Sequence, residues 1–144
     1  MTWRTAALAM LALCLLGVSV TSLPGQTAGE ATRIFNAPLE RVWTVTESVL
    51  KSLGWEVDNR DRGVGWILTN SRGVEFKDFG VYGEGTRHKL RLTLKAVGEG
   101  KTSVSVEREL YKEERILWMR EKKPLKAADQ SVETATLNAI EKSL

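Results

Sequence analysis

Among 144 residues the chain has one cysteine, one histidine and three prolines. One Cys excludes an internal disulfide. With one His beside it, the soft ligands are too few for a structural zinc site. The same scarcity removes a Cys–His nucleophile pair, and no other nucleophile–base arrangement stands out, so the sequence points away from an enzyme. There is no run of about 20 apolar residues able to span a bilayer. Internal repeats and low-complexity tracts are also lacking. The basic surplus is small, 21 Lys and Arg against 18 Asp and Glu. It is spread along the chain, whereas a nucleic-acid protein gathers its basic residues on one face. What is present is ordinary for a globular protein: 42% hydrophobic and 27% charged residues. The length suits one domain and leaves little room for a second.

Residues 1–29 read as a secretory signal peptide. Arg4 is the only charge before Glu30, and an apolar run of 15 residues follows from Ala6 to Val20. Small residues around Pro24 then place the cleavage between 22 and 29. An uncleaved anchor helix is the poorer reading, because the run is short of a membrane span. Lipidation at Cys14 also fits poorly: Leu13 before it is large, and Cys14 lies inside the apolar run rather than at its end. Without residues 1–29 the chain keeps 20 Lys and Arg against 18 Asp and Glu, a net charge of +2. It then has no Cys, so an oxidising compartment such as the periplasm does not threaten it.

Residues 30–144 read as one α+β domain. Ala31–Phe35 is a short strand. Pro38 opens a helix that Asn36 can cap, with Leu39, Val42, Trp43, Thr46, Val49, Leu50 and Leu53 along one stripe and Gly54 at its end. Trp55–Asn59 alternates as a strand, and Asp61-Arg62-Gly63 turns the chain. In the next strand Val64, Trp66 and Leu68 are expected on the buried side. Ser71–Arg87 breaks the pattern and reads as a further short strand or a mobile loop. His88–Ala96 is the clearest strand, with Leu90, Leu92 and Leu94 inward. Thr102–Leu110 returns, placing Val104, Val106 and Arg108 inward, the last near a sheet end within reach of water. Tyr111–Lys123 fits either a helix or a continued strand. Asp129 or Ser131 caps a last helix, whose stripe is Val132, Ala135, Ala139 and Ile140, with Leu137 and Leu144 widening it. The order β-α-β-β-(β)-β-β-α puts two helices on one face of an antiparallel sheet, a helix-grip-like arrangement.

The phrases IFNAPLERVWTVTESVLKSLGWEVDNRDRGVGWI and KTSVSVEREL resemble the repeated domains of the BamC (lipoprotein-34) family of the outer-membrane β-barrel assembly machinery. The shared features are the Pro-opened helix with its Trp, then Leu53-Gly54-Trp55-Glu56-Val57, Asp61-Arg62-Gly63 and Trp66-Ile67. The resemblance covers about residues 31–144 and implies a helix-grip domain in the cell envelope, with a role accessory to envelope assembly. That family is lipidated and carries tandem domains, and this chain departs from it on both points.

His88 reads as a strand-start residue, with no second His or Cys to work beside it. Asp78-Phe79-Gly80 spells the kinase magnesium tripeptide without any other kinase element. The glycines at 80, 83 and 85 read as flexibility. Trp43, Trp55 and Trp66 fall in phase with core faces. Glu107–Lys123 mixes charges of both signs, as a solvated edge does. Lys122, Lys123 and Lys126 alone attract a membrane or a nucleic acid only weakly. Phe76, Phe79 and Tyr82, set among glycines, form either a partner-binding edge or a lid on the core. The expectation is a non-enzymatic exported domain that binds another envelope protein, without metal, cofactor, nucleic acid or a stable membrane anchor. An apolar ligand held between helices and sheet is the competing expectation.

The export reading predicts that the mature chain starts between Leu23 and Glu30 and is released into the periplasm or medium. N-terminal sequencing of the native protein checks this; a start at Met1 or at a modified Cys14 overturns it.

Overall fold

The computed structural model describes residues 30–144, so the expected signal peptide, its cleavage site and Cys14 lie outside it. The order is β1 (Glu30–Phe35), α1 (Leu39–Ser52), β2 (Val57–Asp61), β3 (Trp66–Thr69), β4 (Arg72–Asp78), β5 (Tyr82–Gly98), β6 (Lys101–Ile116), β7 (Met119–Leu125) and α2 (Ser131–Ser143). The class is α+β, with both helices packed on one antiparallel sheet.

The sheet is organised by the β5–β6 hairpin, whose ladder runs from Ala96↔Thr102 to Tyr82↔Ile116. At about 3.3 Å per residue, strands of this length reach roughly 55 Å. Each strand changes its outer neighbour part-way along. In the lower half the order is β1-β6-β5-β3-β2. In the upper half β4 pairs with β5 and β7 with β6. The lower half carries the helices on its inner face. The upper half is a four-stranded arm, β4-β5-β6-β7, beyond them.

The lower half is the core. Leu90, Leu92 and Leu94 of β5, Val104 and Val106 of β6 and Ile67 of β3 are buried against Val42, Trp43, Val49 and Leu50 of α1 and Leu137 and Ile140 of α2. Burial of each such side chain contributes about 1.5–3 kcal/mol. Helix α1 starts at Pro38, which makes no side-chain cap, and Asn36 does not cap it either. It ends in a Schellman arrangement: Gly54 has φ +79°, the Trp55 amide donates to Leu50 O and the Gly54 amide to Lys51 O. That turn sends Trp55 back under the helix, where it is buried.

Two expectations need correction, and two are narrowed. In β3 the buried side is Gly65, Ile67 and Thr69, while Val64 is exposed and Trp66 and Leu68 are only half-buried on the outer face. Thr69 Oγ1 accepts from the Leu90 amide and Gly65 O from the Leu94 amide, which fixes this phase. In α2, Leu137 and Ile140 are buried and Val132, Ala139 and Leu144 pack against the core as expected, but Ala135 is exposed and Glu133 and Thr136 are buried. Glu133 faces inward to Arg108. Arg108 is mostly covered and keeps a small exposed part at the rim: its Nε lies 3.3 Å from the buried Glu133 Oε1, and its Nη2 donates to Asp129 O. Finally, of the two readings of Tyr111–Lys123 the strand is the one found. Strand β6 runs on to Ile116 and turns back as β7, with Pro124 on the edge strand that tolerates it.

Trp43 is 2% exposed. Trp43→Ala therefore removes a filled volume at the middle of the core and is expected to cost about 3–5 kcal/mol. Chemical denaturation measures this; a loss under about 1 kcal/mol overturns the assigned packing of α1.

Candidate functional site at the tip of the arm

Ser71–Arg87, expected as a strand or a mobile loop, is the β4–β5 hairpin, and its three aromatic residues separate into two places. Phe76 lies on the outer face opposite Gly85. A Cβ at Gly83 would fall 3.0 Å from the Phe76 ring, and one at Gly85 would fall 1.9 Å from Glu75 O. The glycines are therefore not sources of flexibility. They allow β4 and its aromatic ring to close on β5. The Arg87 guanidinium covers the ring at 5.0 Å. Phe76 is a half-buried packing residue of the arm, and neither a core lid nor part of an exposed edge.

Phe79 and Tyr82 sit at the far end. Phe79 is 64% exposed, and its ring stacks on Tyr82 at 6.2 Å between centroids. The Tyr82 hydroxyl donates to Glu84 Oε2 at 2.7 Å. That hydrogen bond, with burial and the charges of Glu84 and Glu114, pushes the phenol up to about 12. The hydroxyl is held as a donor, which removes it as a nucleophile or base near neutral pH.

The second half of the tip was not legible as a site. The β6–β7 turn, Leu117-Trp118, lies beside the β4–β5 turn, and the Leu117 amide donates to Val81 O at 2.6 Å. Trp118 is 83% exposed, and Ile116, Leu117 and Met119 are exposed around it. Half of the exposed large hydrophobic residues among the described ones are at this tip. The signal was present in the run Ile116-Leu117-Trp118-Met119 between blocks of charge. Reading 111–123 as helix or continuous strand concealed that the run is a turn. Leu117 has φ +57°, in the left-handed region that two-residue hairpin loops usually assign to Gly or Asn.

Behind the tip the charges are ordered by face. On the outer face Arg115 and Arg120 are cross-strand partners, and Lys122 follows one row back opposite Glu113. Arg115 Nη2 also holds Asp78 Oδ1 at 2.6 Å and Gly80 O at 2.9 Å. Asp78 takes the Gly80 amide as well, and that hydrogen bond, assisted by Arg115, holds its carboxyl below the usual range. The Asp-Phe-Gly sequence thus serves a turn. On the inner face Lys77, Glu84, Glu114 and Glu121 share a row.

Elsewhere the chemistry is sparse. His88 is buried at the root of the arm, 4.9 Å from the Trp55 ring, which Arg72 covers at 3.6 Å. Burial, with Arg72 and Arg108 nearby, pushes His88 down to about 4, so its imidazole is neutral at neutral pH. Of the three tryptophans expected in the core, Trp43 and Trp55 are there, and Trp66 is on the outer face. Trp66 helps line an open groove of about 480 Å³ with Val64, Leu68 and Arg91, on the side away from the helices. Among the described residues no group of three or more His, Cys, Asp or Glu could hold a metal, and no helix is long and apolar enough to cross a membrane. No family model matches the chain, and no curated protein matches its sequence.

The two aromatic sites predict opposite outcomes. Phe76→Ser uncovers Gly83 and Gly85 and is expected to destabilise by about 1–2 kcal/mol. Phe79→Ser removes a ring already in water and is expected to change stability by less than about 0.5 kcal/mol. Paired denaturation curves decide it; equal losses overturn the division.

Proposed function

We propose that this chain is an exported, non-enzymatic docking domain of the bacterial envelope, and that its working end is the apolar tip of the β4–β7 arm. The observation that carries the reading is the concentration of exposed Phe79, Val81, Leu117 and Trp118 on two adjoining turns. A soluble domain rarely leaves a contiguous apolar patch uncovered unless it contacts something. The export reading of residues 1–29 and the resemblance to envelope-assembly domains support the location. The alternative, an apolar ligand gripped between helices and sheet, has less support. That interface is occupied by Trp43, Leu50, Leu92 and Ile140, each at most 2% exposed.

The test is Phe79→Ser with Trp118→Ser, assayed by melting and by photocrosslinking from position 118 in intact envelopes. The melting midpoint is expected to stay within about 2 °C, since neither side chain is buried. Retention of the protein with the envelope fraction is expected to be lost. Unchanged retention, or a midpoint lowered by about 5 °C or more, returns the tip to a structural role.

A further inference from the structure

We propose that the occupant of this tip is the surface of an anionic lipid bilayer, into which Phe79, Val81, Leu117 and Trp118 insert. The inference rests on the docking reading above and names its partner. Shape is the first argument. The apolar side chains of Phe79, Val81, Leu117 and Trp118 project from two turns at the end of a narrow four-stranded arm, ahead of an open groove of about 320 Å³ lined by Ile116 and Met119. Trp118, the most exposed of them, belongs to the residue types that settle at a membrane–water interface.

The backbone supplies the second argument. A turn entering hydrocarbon must satisfy its own amides, because no water is there to do so. At this tip the Phe79 amide donates to Tyr82 O, the Gly80 amide to Asp78 Oδ1 and the Leu117 amide to Val81 O. Gly80 O accepts from Arg115. Three of the amides on the two turns are thus satisfied within the tip, one of them across the turns, which lowers the cost of taking them out of water.

Charge gives the third argument and an orientation. Arg115 and Arg120 face outward one row behind the tip, with Lys122 behind them; Asp78, held by Arg115, shares that row and leaves it a net charge of +1. The inner row at the same depth carries Lys77 beside Glu84, Glu114 and Glu121, a net charge of −2. An arm that leans its outer face toward the bilayer brings the more positive row to the headgroups and keeps the more negative one in water. A few basic residues attract an anionic surface only weakly; the apolar tip supplies the rest of the attachment.

Flotation of the exported chain with phosphatidylethanolamine–phosphatidylglycerol vesicles tests this, alongside Leu117→Gly/Trp118→Ser and Arg120→Glu. Glycine suits the positive φ of position 117, so the double variant is expected to fold, and a melt verifies it. The wild-type chain is expected to float and the double variant to bind roughly tenfold less or weaker. Arg120→Glu is expected to weaken binding to these vesicles and to leave binding to purely zwitterionic ones unchanged. Lipids brominated in the acyl chains are expected to quench Trp118 emission. Failure of the wild-type chain to float, or equal flotation of the double variant, overturns the lipid assignment. If the wild-type chain does not float but position 118 crosslinks to an envelope protein, docking stands and the partner is that protein. If neither occurs, the docking reading fails too.

Discussion

Every part of this fold is referred to one ladder, the pairing of β5 with β6 from Ala96↔Thr102 to Tyr82↔Ile116. It is longer than the helices that cover it. Helix α1 leaves the base of the sheet after Phe35 and ends near the root of the arm, where Arg72 donates to Leu53 O. Helix α2 starts at the same root beside Arg108 and runs back toward β1, where Arg33 meets Asn138 and Glu141. Both helices therefore cover only the lower half. The arm exists because the hydrogen bonds of β5 and β6 continue where the helical cover stops. β4 and β7 extend that ladder on either side.

The root is where polar groups enter the interior. Arg108 and Glu133 form a buried pair, with Asp129 at its rim. Such a pair adds little net stability, because desolvation offsets most of the attraction, but losing one partner leaves a buried charge and costs about 3–5 kcal/mol. Its structural effect is geometric. It sets the rotation of α2 about its axis and fixes where that helix begins along β6. On the β5 side the neutral His88, the Trp55 ring and the Arg72 guanidinium form a layered contact. These two contacts close the end of the core from which the arm projects.

The lower half was readable from sequence wherever one physical signal was strong and uncontested. The alternation of Leu90, Leu92 and Leu94 against Lys89, Arg91, Thr93 and Lys95 admits one phase. The stripe of α1 and Gly54 leave little choice either. Strand β3 has large apolar residues on both sides, Ile67 inward and Trp66 and Leu68 outward, so periodicity could not choose between them. Hydrogen bonds to β5 chose, and no pattern within 66–69 encodes those. In helix α2 the apolar spacing finds Leu137 and Ile140, but it sets Ala135 on the buried side and leaves out Glu133, because Glu133 counts as polar until Arg108 is known to face it. In the arm, Phe79 and Tyr82 were legible as aromatics without a core to join. Phe76 was grouped with them only because sequence distance says nothing about which face of a hairpin a residue takes. Trp118 was missed because a two-residue turn carrying Leu and Trp violates the turn chemistry on which such readings depend.

That violation also separates the tip from the sides of the arm. Exposed strand edges invite pairing with other chains, and both outer strands are blunted against it. β7 carries Arg120, Glu121, Lys122, Lys123 and Pro124, and β4 has a register shift between Gly73 and Glu75 together with Lys77 and Asp78. At the tip the chemistry reverses. A left-handed Leu costs on the order of 1–2 kcal/mol where Gly would cost nothing, and Trp118 beside it leaves most of its surface in water. Neither side chain belongs to the buried core. A chain that guards its strand edges with charge and proline, yet keeps strained and solvated apolar residues on the two turns between them, directs its contacts to that one point.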